Sequence, residues 1–107
     1  MNRGDVYWHT FRAPAKRRPV VVITQDRAIG HLNAVVVAGI TTHTRQVASQ
    51  VLLGPEDNLP HVCAVNCHQL HTVPKKTLVQ RLVALSPQRM KQIDAALEYA
   101  LGLHTTE

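Results

Sequence analysis

Short apolar stretches rich in β-branched residues alternate along the chain with polar connections marked by proline and glycine. Only the C-terminal stretch changes period. Asp5–Thr10, which contains Val6-Tyr7-Trp8-His9, has the composition of a strand and runs into a basic, Pro-containing loop, Phe11–Arg17. Arg18–Thr24 follows with Val20-Val21-Val22-Ile23, an unbroken apolar run of the kind buried on both faces of a sheet. Gln25–Asn33 reads as a polar connection with room for one helical turn. Ala34–Ile40 repeats the Val-rich theme and ends in a polar cluster, Thr41-Thr42-His43-Thr44-Arg45-Gln46. Gln50–Leu53 is a short strand stopped by Gly54-Pro55, and Glu56–Pro60 is a turn-rich loop. Strands are expected again at Val62–Asn66, at Leu70–Val73 before Pro74, and at Leu78–Leu85.

The C-terminal period is helical. Ser86-Pro87 supplies an N-cap with proline at the first helical position, and Met90, Ile93, Leu97, Ala100 and Leu101 recur at three- and four-residue spacing up to Gly102. Arg89, Lys91, Gln92 and Glu98 fall on the opposite side, so the apolar stripe should cap the sheet. Several short strands followed by one helix predict a mainly β fold, a small barrel with a C-terminal α-helix.

Composition agrees with this picture and adds a charge asymmetry. At 107 residues the chain suits a single domain, 1–107, and 14 Val against 4 Ile with few aromatics leans toward β structure. No apolar run is long enough to span a bilayer, and Met1–Asp5 is charged at once, so the expected compartment is the cytoplasm, with no membrane partner. The net charge of +5 lies in the first half, with Arg12, Lys16, Arg17 and Arg18 crowded beside Pro14 and Pro19. A basic loop on a β domain points to a polyanionic partner.

Cys63 and Cys67 stand among His61, His68 and His71, which invites a zinc reading. The spacing opposes it: Val62–Val65 reads as a buried strand rather than a ligand turn, and the two cysteines read as small buried hydrophobes. No metal and no cofactor is expected.

Five segments in register then carry a resemblance. Arg3-Gly4-Asp5-Val6-Tyr7-Trp8, Arg17-Arg18-Pro19-Val20-Val21-Val22, Val36-Val37-Ala38-Gly39-Ile40-Thr41-Thr42, Gln69-Leu70-His71-Thr72-Val73 and Leu85-Ser86-Pro87, the last ahead of a helix ending Ala100-Leu101-Gly102-Leu103, together resemble the MazF/PemK toxin family. The resemblance implies a dimeric SH3-like barrel of the plasmid-maintenance toxin type. It also implies a metal-independent, sequence-selective endoribonuclease (an mRNA interferase, with tRNA or rRNA as alternative targets) that is neutralised by a cognate antitoxin. It places the catalytic arginine on Arg18, immediately before Pro19, and the catalytic hydroxyl on Thr41. Two positions depart from the family pattern. Arg12-Ala13-Pro14-Ala15-Lys16 replaces a stretch that carries an acid in many members, and His68 stands where many have Asp or Glu before Gln69.

The chemistry can also be argued from side chains. In metal-free RNA cleavage the 2′-hydroxyl attacks the adjacent phosphate, which requires a proton acceptor, cationic stabilisation of the extra charge and a donor to the leaving oxygen. Arg18 offers a planar fork of N–H donors to phosphate oxygens, and Thr41 a hydroxyl that donates and accepts. His43, two positions beyond Thr41 in an extended segment, is the candidate base, with His9 as second choice. Arg12, Lys16, Arg17 and Thr42 are expected to bind single-stranded RNA, while Trp8 is expected to pack in the barrel. The alternative is a catalytically weak family member acting as an RNA- or antitoxin-binding module, which the missing acids favour.

Overall fold

A computed structural model describes residues 1–12 and 16–103, so Ala13-Pro14-Ala15 of the basic loop lie outside the described residues. The elements run β1 (Asp5–Thr10), β2 (Arg17–Val22), α1 (Asp26–Ile29), β3 (Ala34–Thr41), β4 (Gln50–Leu53), β5 (Cys63–Pro74), β6 (Arg81–Ala84) and α2 (Pro87–Leu101). All pairings are antiparallel, in a curled sheet ordered β4-β5-β3-β2-β1-β6. Among the described residues no ladder joins β4 to β6, and the barrel stays open between them.

The Val-rich strands bury both faces. Val6, Val21, Ala38, Ile40 and Val65 join Ile93, Ala96 and Leu97 of α2 in one core, while Tyr7, Val20, Val22, Val35 and Val37 form a second with Ile29, Val73 and Leu78. Residues adjacent in sequence thus enter opposite cores, which is why the run Val20-Val21-Val22 has no polar alternation.

Three expected boundaries move. The strands expected at Val62–Asn66 and Leu70–Val73 are two limbs of the single twelve-residue β5. Gly39 pairs with Asn66 and Ala38 with Leu70, so Cys67, His68 and Gln69 bulge from the ladder between them. Val62 stays outside the strand, 64% exposed, rather than in a buried run. At the other end, a 3-10 turn at Lys75–Thr77 drops Leu78 into the second core and leaves Val79 in solvent, so β6 begins at Arg81 instead of Leu78.

The Arg3-Gly4-Asp5 segment turns out to be a structural tie. Arg3 Nε donates to the Ile23 carbonyl at 2.7 Å and its Nη2 pairs with Asp94 of α2 at 2.7 Å. Buried Asp5 accepts from the Asn2 backbone N–H at 2.9 Å and pairs with Arg81 Nε at 3.3 Å. Gly4 has φ +95° between them, a backbone conformation that favours glycine, and a Cβ there would press on the Met90 side chain at 3.0 Å.

Helix α2 begins and ends where its caps predict. Ser86 Oγ accepts from the Arg89 N–H at 3.2 Å, and Gly102 closes the C-terminus at φ +67°. Arg89 then reaches back to Asp57 at 2.9 Å and Glu56 at 3.3 Å, fastening the Pro55–Asp57 turn to the helix, and the Asp57 hydrogen bond raises the Arg89 pKa. Of the expected stripe, Leu101 is the exception: it falls in the final turn, past the last buried residue, and is 53% exposed. No helix among the described residues is long and apolar enough to cross a membrane.

Candidate active site

Arg18 is exposed near the start of β2, an inner strand between β3 and β1, where Pro19 removes one backbone donor and Val20 starts the buried run. Among the described residues Arg18 has no acidic partner, in contrast to Arg3, Arg81 and Arg89. Strand β3 ends at Thr41, a buried polar residue, and the chain then turns through the polar cluster. The His43 backbone N–H donates to Thr41 Oγ1 at 3.0 Å. That contact fixes the hydroxyl oxygen and leaves its proton and a second lone pair for a ligand.

Arg18, Thr41 and His43, the three candidate catalytic residues, line one open cleft of about 700 Å³. The cleft's other walls are Arg45, Asn66, His68, Gln69 and Tyr99 among others, and none of the described residues that line it is a carboxylate. Its electrostatic character is therefore that of an anion site. The β5 bulge explains much of this wall. The His68 backbone N–H donates to Asn66 Oδ1 at 3.0 Å, a local turn that projects His68 and Gln69 out of the ladder.

Two further hollows adjoin, and Arg18 lines both. One, about 280 Å³, is walled by Phe11, Lys16, Gln69 and His71; the other, about 260 Å³, by Trp8, Arg17, Thr41, Thr42, Leu59, Cys63 and Leu82 among others. Lys16, Arg17 and Thr42, expected as RNA-binding residues, thus sit around Arg18. Arg12 is exposed at the start of the loop, next to the residues outside the described part.

Three expectations change. Trp8 is half-buried rather than packed in either core: it walls the third hollow, with the Arg17 guanidinium carbon 4.5 Å from its ring centroid and Arg17 also hydrogen-bonded to Gln80. His9 faces Arg18 across the ladder, yet it is absent from the lining of the Arg18–Thr41 cleft. Its ring packs edge-on against Phe11 at 4.6 Å, its Nδ1 is enclosed without a partner among the described residues, and burial, then the nearby His71, lowers its pKa. The third change is an addition, for Asn66, His68, Gln69, Arg45 and Tyr99 join the site. Gln69 stood in the motif that carried the resemblance, but nothing in the sequence predicts a bulge at Cys67–Gln69.

Cys63 and Cys67 are buried free thiols, and burial raises both pKa values, that of Cys67 to about 11. Among the described residues no three His, Cys, Asp or Glu side chains converge as metal ligands.

Comparison with known proteins agrees with this architecture. Residues 2–101 match the family model of the PemK-like, MazF-like toxin of type II toxin-antitoxin systems. The chain is 43% identical over 100 residues to a probable endoribonuclease MazF5 of Mycobacterium tuberculosis, covering 92% of this chain and 91% of that one. A second M. tuberculosis relative, a probable endoribonuclease MazF2, is 32% identical over 103 residues, covering 95% and 99%. Among solved structures, a mycobacterial endoribonuclease in complex with its cognate antitoxin superposes with a TM-score of 0.87 at 29% identity, covering 99% of both chains. With the open barrel, its capping helix and a matching sequence across nearly the whole length, the chain belongs to the PemK-like, MazF-like family of type II toxin–antitoxin toxins.

Proposed function

We propose that this toxin is a metal-independent, sequence-selective endoribonuclease acting on single-stranded RNA in the cytoplasm, as a homodimer held in check by a cognate antitoxin. The observation that carries this reading is the position of Arg18. It borders three connected hollows, has no acidic partner among the described residues, and shares two of those hollows with the Thr41 hydroxyl.

In this mechanism the 2′-hydroxyl loses its proton to a base as its oxygen bonds to phosphorus. The bond from phosphorus to the 5′-oxygen breaks, and that oxygen takes up a proton, leaving a 2′,3′-cyclic phosphate and a 5′-hydroxyl. Arg18 holds the phosphate oxygens through its fixed N–H fork as charge builds on them. Thr41 donates its free hydroxyl proton to one of the same oxygens. Among the described residues no carboxylate lines the cleft, and proton transfer falls to histidine: His43 is the assigned base, and His68 lines the same cleft as a donor to the leaving oxygen. Lys16 and Arg17 take flanking phosphates, and Arg12 approaches from the loop. The basic cleft complements an acidic antitoxin segment that folds as it docks.

One observation favours a second reading. A cleft with no carboxylate among its described lining residues has fewer groups able to carry protons, as expected of a catalytically weak family member that binds RNA or antitoxin. Mapping transcript 5′ ends after brief induction separates the two. The ribonuclease reading predicts new 5′-hydroxyl ends clustered at one short sequence, and the binding-module reading predicts none.

A further inference from the structure

Two turns of the same design border one cleft. At the end of β3 the Thr41 hydroxyl accepts from the backbone N–H two residues on, that of His43, at 3.0 Å. Where β5 leaves the ladder, Asn66 Oδ1 accepts from the backbone N–H two residues on, that of His68, also at 3.0 Å. Gly39 is the ladder partner of Asn66, so Thr41 and Asn66 alternate onto the same face of the sheet, and both line the cleft with Arg18. Each turn hangs one exposed histidine on that cleft. A side chain bonded to the backbone in this way gives the chain a defined path where the ladder no longer does.

The β5 turn has a fixed base. Asn66 is the last residue of the first limb to pair on both sides, with Gly39 of β3 and Gln50 of β4. Cys67 then donates its backbone N–H to the Ser49 carbonyl at 2.9 Å and buries its side chain completely in the core. What the base leaves free is the direction in which the chain departs toward His68. The Asn66 bond takes up that freedom.

We propose that Asn66 is a positioning residue for the reaction: by holding the His68 backbone it keeps the His68 imidazole where it protonates the departing 5′-oxygen, as Thr41 holds the backbone of the base, His43. The inference rests on the ribonuclease reading. As the 2′-oxygen bonds to phosphorus, its proton passes to His43. As the bond from phosphorus to the 5′-oxygen breaks, its electron pair stays with that oxygen and a proton comes from His68, which becomes neutral while His43 becomes cationic. Exchange with water restores both. Such a donor must stay within hydrogen-bond reach of the leaving oxygen, so a small turn of the backbone at His68 has a large effect on the rate.

The test uses a leaving group that needs no acid. A defined RNA carrying the mapped cleavage sequence is made with either oxygen or sulfur at the 5′ bridging position of the scissile phosphate. A thiolate departs unprotonated far more readily than an alkoxide, because a thiol has a pKa of only about 8.5. Single-turnover rates on the two RNAs give, for each protein, a ratio that does not depend on how much of it is folded. His68→Ala should lose roughly 100-fold or more on the oxygen RNA and little on the sulfur RNA. Asn66→Ala, and Asn66→Gln with its carbonyl one carbon further out, should lose roughly 10- to 100-fold on the oxygen RNA and again little on the sulfur RNA. Asn66→Thr, which rebuilds the hydroxyl turn that serves His43, should recover most of the oxygen rate. Equal losses on both RNAs, in the Asn66 variants or in His68→Ala, overturn the inference, and so does an Asn66→Thr protein no faster than Asn66→Ala. A wild-type protein that cuts neither RNA overturns the ribonuclease reading itself, whereas one that cuts both, with variants that keep its sulfur-to-oxygen ratio, overturns only the role of Asn66.

Discussion

Gln69 lies against the bare backbone of Gly39, where a Cβ would come within 3.1 Å of Gln69 Oε1. The two residues belong to neighbouring strands, and the contact forms at the place where the β3–β5 ladder loses register. Glycine leaves room for the bulged Gln69 to lie over the sheet and wall two of the hollows that Arg18 borders.

Gly39→Ala should therefore act on the site before it acts on the fold. The new methyl displaces the Gln69 carboxamide by a few tenths of an ångström, and RNA cleavage should fall by up to about 100-fold through misplacement of bound RNA. Thermal unfolding should stay close to that of the wild type. A large fall in Tm with little change in specific activity would show that Gly39 serves packing alone.

Thr41→Val keeps the shape of the side chain and removes the hydroxyl. The His43 N–H loses its acceptor, a cost of about 1 kcal/mol, whereas the rate of cleavage should fall by roughly 100-fold or more if the hydroxyl donates to the phosphate. Chemical denaturation and single-turnover cleavage on the same preparation separate the two effects. In His43→Ala single-turnover cleavage should fall by roughly 100-fold or more if this imidazole takes the 2′-hydroxyl proton. A rate that survives moves the base to another histidine, with His68 next.

The His9–Phe11–His71 ring cluster, with Phe11 edge-on to His9 and tilted against His71 at 4.8 Å, predicts a pH-dependent stability. Burial and His71 hold the His9 pKa below its ordinary value of 6.5, so the folded protein binds fewer protons there than the unfolded chain. The stabilisation is fully present above pH 6.5 and is lost as pH falls below that value toward the lowered one. The Tm of the wild type should drop between pH 7.5 and pH 5.5 by more than that of His9→Gln, as read by thermal unfolding in matched ionic strength. Equal drops would remove His9 as the cause.

Tyr99 is 65% exposed and Leu52 40%, and both line a groove between α2 and β4. Apolar side chains left in solvent on one groove are what a two-fold contact would cover. Sedimentation equilibrium at micromolar concentration should show a dimer, and Tyr99→Asp should shift it toward monomer. A monomeric wild type would contradict the proposed assembly.

Much of the fold was legible because its signals are local. The run Val20-Val21-Val22 announced a strand buried on both faces, and Ser86-Pro87 with Gly102 bounded α2 at both ends. Arg18 and Thr41 were assigned through the family resemblance, by the arginine that precedes Pro19 and the hydroxyl residue that closes the third apolar run. The rest depended on long-range pairing. The bulge at Cys67–Gln69 exists because β3 and β5 fall out of step at Gly39, which no window along β5 contains. Trp8 looked like a core residue by composition. It lies instead in the wall of a hollow, opposite Pro19 in the ladder and with the Arg17 guanidinium over its ring.

The central claim is that Arg18 stabilises the phosphate as RNA is cleaved without a metal. Its most direct test is cleavage of a defined RNA in excess EDTA by purified wild-type, Arg18→Ala and Arg18→Lys proteins, with product ends identified by mass. The account predicts full wild-type activity giving 2′,3′-cyclic phosphate and 5′-hydroxyl ends. Arg18→Ala should lose at least about 100-fold in rate, and Arg18→Lys should recover little of it, since a point charge does not reproduce the planar fork. Activity abolished by EDTA, 5′-phosphate products, or wild-type rates from Arg18→Ala would contradict it.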